Sequence, residues 1–208
     1  MKYKELFVKP FLLAGGLLFL VSCAQDTPPK DVASGSDLTE AQQQPNPFPF
    51  YKDISVRPGL NFEVLSWGKG VDSVGGYLIL MTDSAKKDFK SLSNEREGII
   101  SDAWNMDLDN DGNPEVYIEL KSNKNVLDLN VFEYSRNGFQ KISFPGLSSK
   151  MKKIYQGNDK FFMKNGDLFR SFPVVNSDDT SQKAAVKTLQ YKLSGNSFSV
   201  DEVETVNE

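Results

Sequence analysis

Residues 103–120 read Ala-Trp-Asn-Met-Asp-Leu-Asp-Asn-Asp-Gly-Asn-Pro-Glu-Val-Tyr-Ile-Glu-Leu, a carboxylate-rich turn set between two strand-like runs. Asp107, Asp109 and Asp111 alternate, and Gly112 follows them. Alternate positions of an extended or tightly coiled segment point to a common side, so the three carboxylates converge where a hard cation neutralises them, and Gly112 permits the sharp reversal. Glu115 is spaced to close such a shell, and Asn113 to add its main-chain carbonyl.

Working outward from this turn, the chain is strand-like almost throughout. Phe62–Leu65, Tyr77–Met81, Val116–Leu120, Leu127–Phe132, Phe139–Phe144, Phe161–Met163, Leu168–Arg170 and Leu189–Leu193 are short β-branched or aromatic runs, several alternating with period two. Asn137-Gly138 and Asn165-Gly166 are two-residue hairpin signals, and Ser194-Gly195-Asn196 before Ser197–Val200 is a third. Only Ser84–Leu92 and Ser148–Tyr155 read as short helices. The expected class is all-β, an antiparallel β-sandwich of about eight strands with one or two short helices. Trp67, Trp104, Phe161, Phe169, Phe172 and Tyr191 fall at strand spacing and are expected in the core.

The Asp loop occurs once, without the repeat that such loops accompany in arrays. Against the EF-hand template it matches positions one, three, five and six, but Ile118 stands at position twelve, where a bidentate glutamate is required. Its spacing instead resembles the shorter Asp-x-Asp-x-Asp-Gly-x-x-Glu cation loops, with Asp107, Asp109, Asp111, Asn113 and Glu115 as donors and Ca²⁺ as the expected ion. A solvated turn in which Asp and Asn bond their own backbone accounts for the same composition.

At the N-terminus, Lys2, Lys4 and Lys9 precede an apolar run over Phe11–Val21. That run is about half the ~20 residues a spanning helix needs, and matches the apolar region of a signal peptide. It ends at Leu20-Val21-Ser22-Cys23, which looks like the lipobox of bacterial lipoproteins, so residues 1–22 read as a cleaved leader and Cys23 as the lipidated N-terminus. Cys23 is the single cysteine, and an intramolecular disulfide is impossible. Residues 23–49 are rich in Gln, Pro, Ser, Asp and Thr and too polar to offset their ordering entropy; they read as a disordered tether. Residues 50–208 then form one domain large enough for a core. The expected location is the bacterial cell envelope, membrane-anchored through Cys23.

Charge and residue inventory exclude whole classes of function. Removing residues 1–22, with Lys2, Lys4, Lys9 and Glu5, takes the formal charge from −4 to −6. Such a surface disfavours nucleic acid and favours a basic partner. The chain has no histidine, which removes Ser-His-Asp and Cys-His catalysis and His-based zinc sites. Gly68-Lys69-Gly70 and Gly75-Gly76 lack the helix of a phosphate-binding loop. The expectation is therefore a non-enzymatic protein.

A second set of motifs lies downstream: Tyr155-Gln156-Gly157-Asn158-Asp159-Lys160-Phe161, then Gly166–Val174 with Arg170-Ser171-Phe172-Pro173-Val174, then Gln190-Tyr191-Lys192-Leu193. With the Ala103–Glu115 stretch ahead of them, this succession resembles the periplasmic inhibitors of invertebrate-type lysozyme, over about Asp102–Val200. The resemblance implies a β-sandwich and a protein that binds and inhibits a lysozyme by occluding its active-site cleft. It also implies that the loop after the Asp-loop strand enters the enzyme. In the family this loop has a Ser-Gly-Ser core; here the positions are Ser122, Asn123, Lys124 and Asn125. Arg170, set between Phe169 and Phe172, is expected at the surface as a further partner contact. Other partners left open are a glycan-active envelope protein and a second copy paired through a sheet edge. The alternative function is a calcium-stabilised structural or glycan-binding envelope lipoprotein.

Overall fold

The computed structural model describes residues 48–68, 74–122, 126–175 and 185–204. By its contacts the chain divides into Met1–Gln43 and Gln44–Glu208, and every described element belongs to the second unit. Cys23 and the leader expected over residues 1–22 lie outside the described residues, as do residues 23–47 of the tether expected over 23–49, and Asn123, Lys124 and Asn125. No helix among the described residues is long and apolar enough to cross a membrane.

The described chain is all-β and antiparallel, as expected, but it has twelve strands rather than about eight. They form three successive four-stranded meanders. The first sheet contains β1 (Phe50–Arg57), β2 (Leu60–Trp67), β3 (Val74–Asp83) and β4 (Asp88–Glu97). The second contains β5 (Ile99–Met106), β6 (Glu115–Lys121), β7 (Leu127–Ser135) and β8 (Gly138–Ile142). After the helix α1 (Ser149–Ile154), the third contains β9 (Lys160–Lys164), β10 (Asp167–Val174), β11 (Ala185–Ser194) and β12 (Ser197–Val203). The strands missing from the sequence reading, β1 and β4, lie at the two edges of the first sheet, while β5 contains the strand-like run before the Asp loop. Edge strands carry charge on their solvated face, which erases the apolar signal.

Two apolar clusters place the second sheet between the others. Phe62, Val64, Tyr77, Ile79 and Met81 of the first sheet pack with Ile100, Val116, Ile118, Phe132 and Tyr134 of the second. Tyr117, Leu129, Val131 and Ile142, also of the second sheet, pack with Leu168, Phe172, Leu189 and Tyr191 of the third. A sheet covered on both faces has no polar face, hence the near-continuous apolar run of β6. The expected two-layer sandwich is thus extended to three layers.

The helix over Ser149–Ile154 forms where it was expected. The Ser148 hydroxyl accepts from the Met151 amide and caps it, while Met151 is buried. Ser84–Leu92 is not helical. Residues 84–87 turn, with Lys87 at φ +52°, and the Asp83 carboxylate accepts from the Lys86 amide, after which β4 begins. A ten-residue ladder with β3 outweighs the helix preference of Ala85-Lys86-Lys87.

Candidate functional site

The loop between β5 and β6 is held by its own side chains. Asn110 takes a left-handed φ of +58°, and Gly112 one of +87°. The Gly112 amide donates to Asp107 Oδ2 at 3.0 Å. Asp111 accepts from the Asn113 amide at 2.7 Å and from Asn113 Nδ2 at 2.9 Å, so both of its oxygens are engaged within the turn. Three of the five expected donors come together: Asp107, Asp109 and Glu115 each offer a carboxylate oxygen, and these lie within 4.8 Å of one another. Asp111 points instead at Asn113.

Glu115 opens β6 and is fully buried. Its Oε2 accepts from the Leu108 amide at 2.8 Å and lies 3.4 Å from the Tyr117 hydroxyl. Its Oε1 has no hydrogen-bond partner, and neither has the buried Oδ1 of Asp109. Two buried, unpartnered carboxylate oxygens in one cluster are costly without a cation. Burial, then the nearby Asp109 and Asp107, push the Glu115 carboxyl up to about 7, although the Leu108 amide opposes this. Burial, then Glu115, likewise raises the Tyr117 hydroxyl.

The structure adds two participants that the loop sequence does not announce. Glu133 on β7 is the register partner of Glu115. Like charges directly opposite one another destabilise a sheet. Burial, then Asp111, Asp109 and Asp107, raises the Glu133 carboxyl. The other is Gly195, in the β11–β12 turn, whose amide donates to Asp109 Oδ2 at 2.9 Å. Asp109 thereby joins the second sheet to the third. Both depend on strand register and long-range packing; the only local hint was the Gly195 turn.

Arg170, expected at the surface, is buried with 3% exposure. On β10 it faces inward, and its Nε donates to Asp159 Oδ2 at 2.7 Å while Nη2 bonds Asp159 Oδ2 and, at 2.9 Å, the Leu127 carbonyl. The Tyr155 hydroxyl donates to Asp159 Oδ1. The guanidinium lies over Phe161, Tyr155 and Phe172 at 5.2–6.0 Å from the ring centres. Burial disfavours its charge, but the Asp159 carboxylate more than offsets this and holds Arg170 above its ordinary range. The residues flanking its strand position misled because the strand packs inside a layered core. Beside this clamp, the Ser122 amide donates to the Val126 carbonyl at 2.9 Å, and the Val126 amide to Ser122 Oγ at 3.3 Å, closing the base of the loop at residues 122–126.

Of the aromatic residues expected in the core, Phe172 and Tyr191 are fully buried, and Trp104 stacks on Tyr117 at 5.5 Å. Trp67 is 40% exposed and departs from expectation. No family model, curated protein or solved structure matches this chain.

Proposed function

We propose that this chain is a non-enzymatic binding protein whose fold is completed by a divalent cation in the Asp107–Glu115 loop. The observation that supports this is the pair of buried carboxylate oxygens, Asp109 Oδ1 and Glu115 Oε1, without hydrogen-bond partners. An oxygen-only donor set without histidine or cysteine suits a hard ion, and calcium tolerates irregular shells. Asp107, Asp109 and Glu115 would hold it, supplying charge neutralisation where Glu115 and Glu133 face one another. The leader-like residues 1–22 and Cys23 support placement in the bacterial envelope as a lipoprotein. The test is thermal or denaturant unfolding in calcium and in chelator. Calcium at about a hundredfold over its dissociation constant should add about 2.7 kcal/mol. Asp109→Ala should abolish that increment, whereas Asp111→Ala should retain most of it. Equal stability of the native chain in calcium and in chelator would refute the cation reading.

A second reading, inhibition of a lysozyme, draws support from where the resembling residues go. Tyr155, Asp159 and Arg170 converge on Leu127, at the foot of the loop at residues 122–126. A loop with a fixed base enters a cleft at lower entropic cost. In this reading Ser122, Asn123, Lys124 and Asn125 contact the enzyme, and Arg170 positions them from inside. Titration of the full-length chain against a panel of invertebrate-type lysozymes should give dose-dependent loss of lytic activity, weakened by Lys124→Ala. Undiminished lysis across the panel would remove this reading.

A further inference from the structure

Trp67 ends β2 on the face of the first sheet turned away from its core, because Phe62 and Val64 point inward at alternate positions. The register sets Trp67 beside Gly76, and Gly76 beside Glu95 on the edge strand β4. The indole reaches over this glycine: a Cβ on Gly76 would sit 2.2 Å from Trp67 Cζ2 and 2.5 Å from Cε2, so no larger residue admits the ring in this place. A Cβ on Gly75 would lie 2.6 Å from the Trp67 carbonyl oxygen. From below, Arg96 Nη2 donates to that carbonyl at 3.3 Å, and Nη1 bonds the Gly98 carbonyl. The ring is therefore fixed by its neighbours while 40% of the residue stays exposed.

Trp67, Gly76, Ser93, Glu95, Arg96 and Glu97 line a cleft of about 860 Å³. That volume falls within the roughly 300–1,000 Å³ usual for small-ligand sites. The carboxylates of Glu95 and Glu97 have no ion-pair partner among the described residues. We propose that this cleft binds carbohydrate. The immobilised indole offers an apolar surface to the C–H groups of a pyranose ring, and the two carboxylates with the Ser93 hydroxyl accept hydrogen bonds from its hydroxyl groups. Arg96 in the floor is held by the Trp67 and Gly98 carbonyls and keeps the backbone beneath the indole in place. A second cleft shares Asn94, Glu95 and Glu97 and continues around the β4 edge towards Ser122 and Asp128. A chain of sugars therefore has a path beyond the first ring.

This gives a ligand class to the binding protein proposed above but rests on other residues, so its failure leaves the cation reading intact. The experiment is isothermal titration of the full-length chain with chitotetraose, with cellotetraose and with decalysine. At least one oligosaccharide should bind, and Trp67→Ala should weaken it at least about tenfold. Gly76→Ala, which keeps the indole but displaces it, should weaken binding comparably. Glu95→Gln lies on the exposed face, leaves the packing untouched and should weaken binding several-fold. Failure of both oligosaccharides to bind would overturn the proposal, as would sugar binding that Trp67→Ala and Glu95→Gln leave unchanged. Binding of decalysine alone, sensitive to Trp67→Ala, would make this a cation site and overturn the carbohydrate assignment.

Discussion

Burial first, and then Asp109 and Asp107, hold the Glu115 carboxyl near 7, well above its ordinary value of 4.5. In chelator the folded chain therefore binds this proton more tightly than the unfolded chain does. The stabilisation is fully present below the ordinary value and is lost as pH rises through about 7. The melting temperature of the metal-free chain should fall from pH 5 to pH 8, and Glu115→Gln should flatten that decline. Calcium should act in the opposite sense, because it takes up the ionised carboxylate and strengthens as the proton leaves. A melting temperature independent of pH over this range in chelator would contradict the assignment. Spacing alone located Asp107, Asp109 and Glu115, since three side chains on a nine-residue loop have few ways to avoid one another. It misplaced Asp111, which the left-handed Asn110 and Gly112 turn towards Asn113. It also gave no sign of Glu133, eighteen positions further on, because facing residues are selected by the pairing of β6 with β7.

Hairpins were legible to the extent that their turns are self-contained. Asn165 and Gly166 both take left-handed φ, at +54° and +86°, as a tight primed turn requires. At Asn137-Gly138 only the glycine is left-handed, and the two-residue loop lies one position earlier, since Ser135 pairs with Gly138. The Arg170–Asp159 pair belongs to this scale as well, because it fastens β10 and the segment before β9 to the first residue of β7. Breaking one side of a buried ion pair leaves its partner charged and desolvated. Arg170→Met should therefore cost about 3–5 kcal/mol in denaturant unfolding. The double variant Arg170→Met with Asp159→Asn should cost less than the sum of the two single changes, because they share one interaction. Strict additivity would mean that the pair contributes nothing as a pair.

For the molecule as a whole, the proposed lipid attachment at Cys23 is separated from β1 by a polar, proline-rich segment. Cys23→Ser with residues 1–22 removed should therefore release the chain from membranes while leaving the domain's melting temperature unchanged; such a variant that still sediments with membranes would exclude lipid anchoring there. The sequence by itself determined the all-β class, the helix at Ser149–Ile154, the primed turn at Asn165-Gly166 and the convergence of Asp107, Asp109 and Glu115. Each follows from period, turn chemistry or spacing over a few residues, and these act before distant segments meet. Only the tertiary structure decided that β6 is covered on both faces, that β1, β4 and β5 are edge strands, that Arg170 is buried and that Trp67 is exposed over Gly76. The physical reason is that which face of a strand is covered, and by what, depends on the layers stacked against it, and that stacking joins residues far apart in the chain.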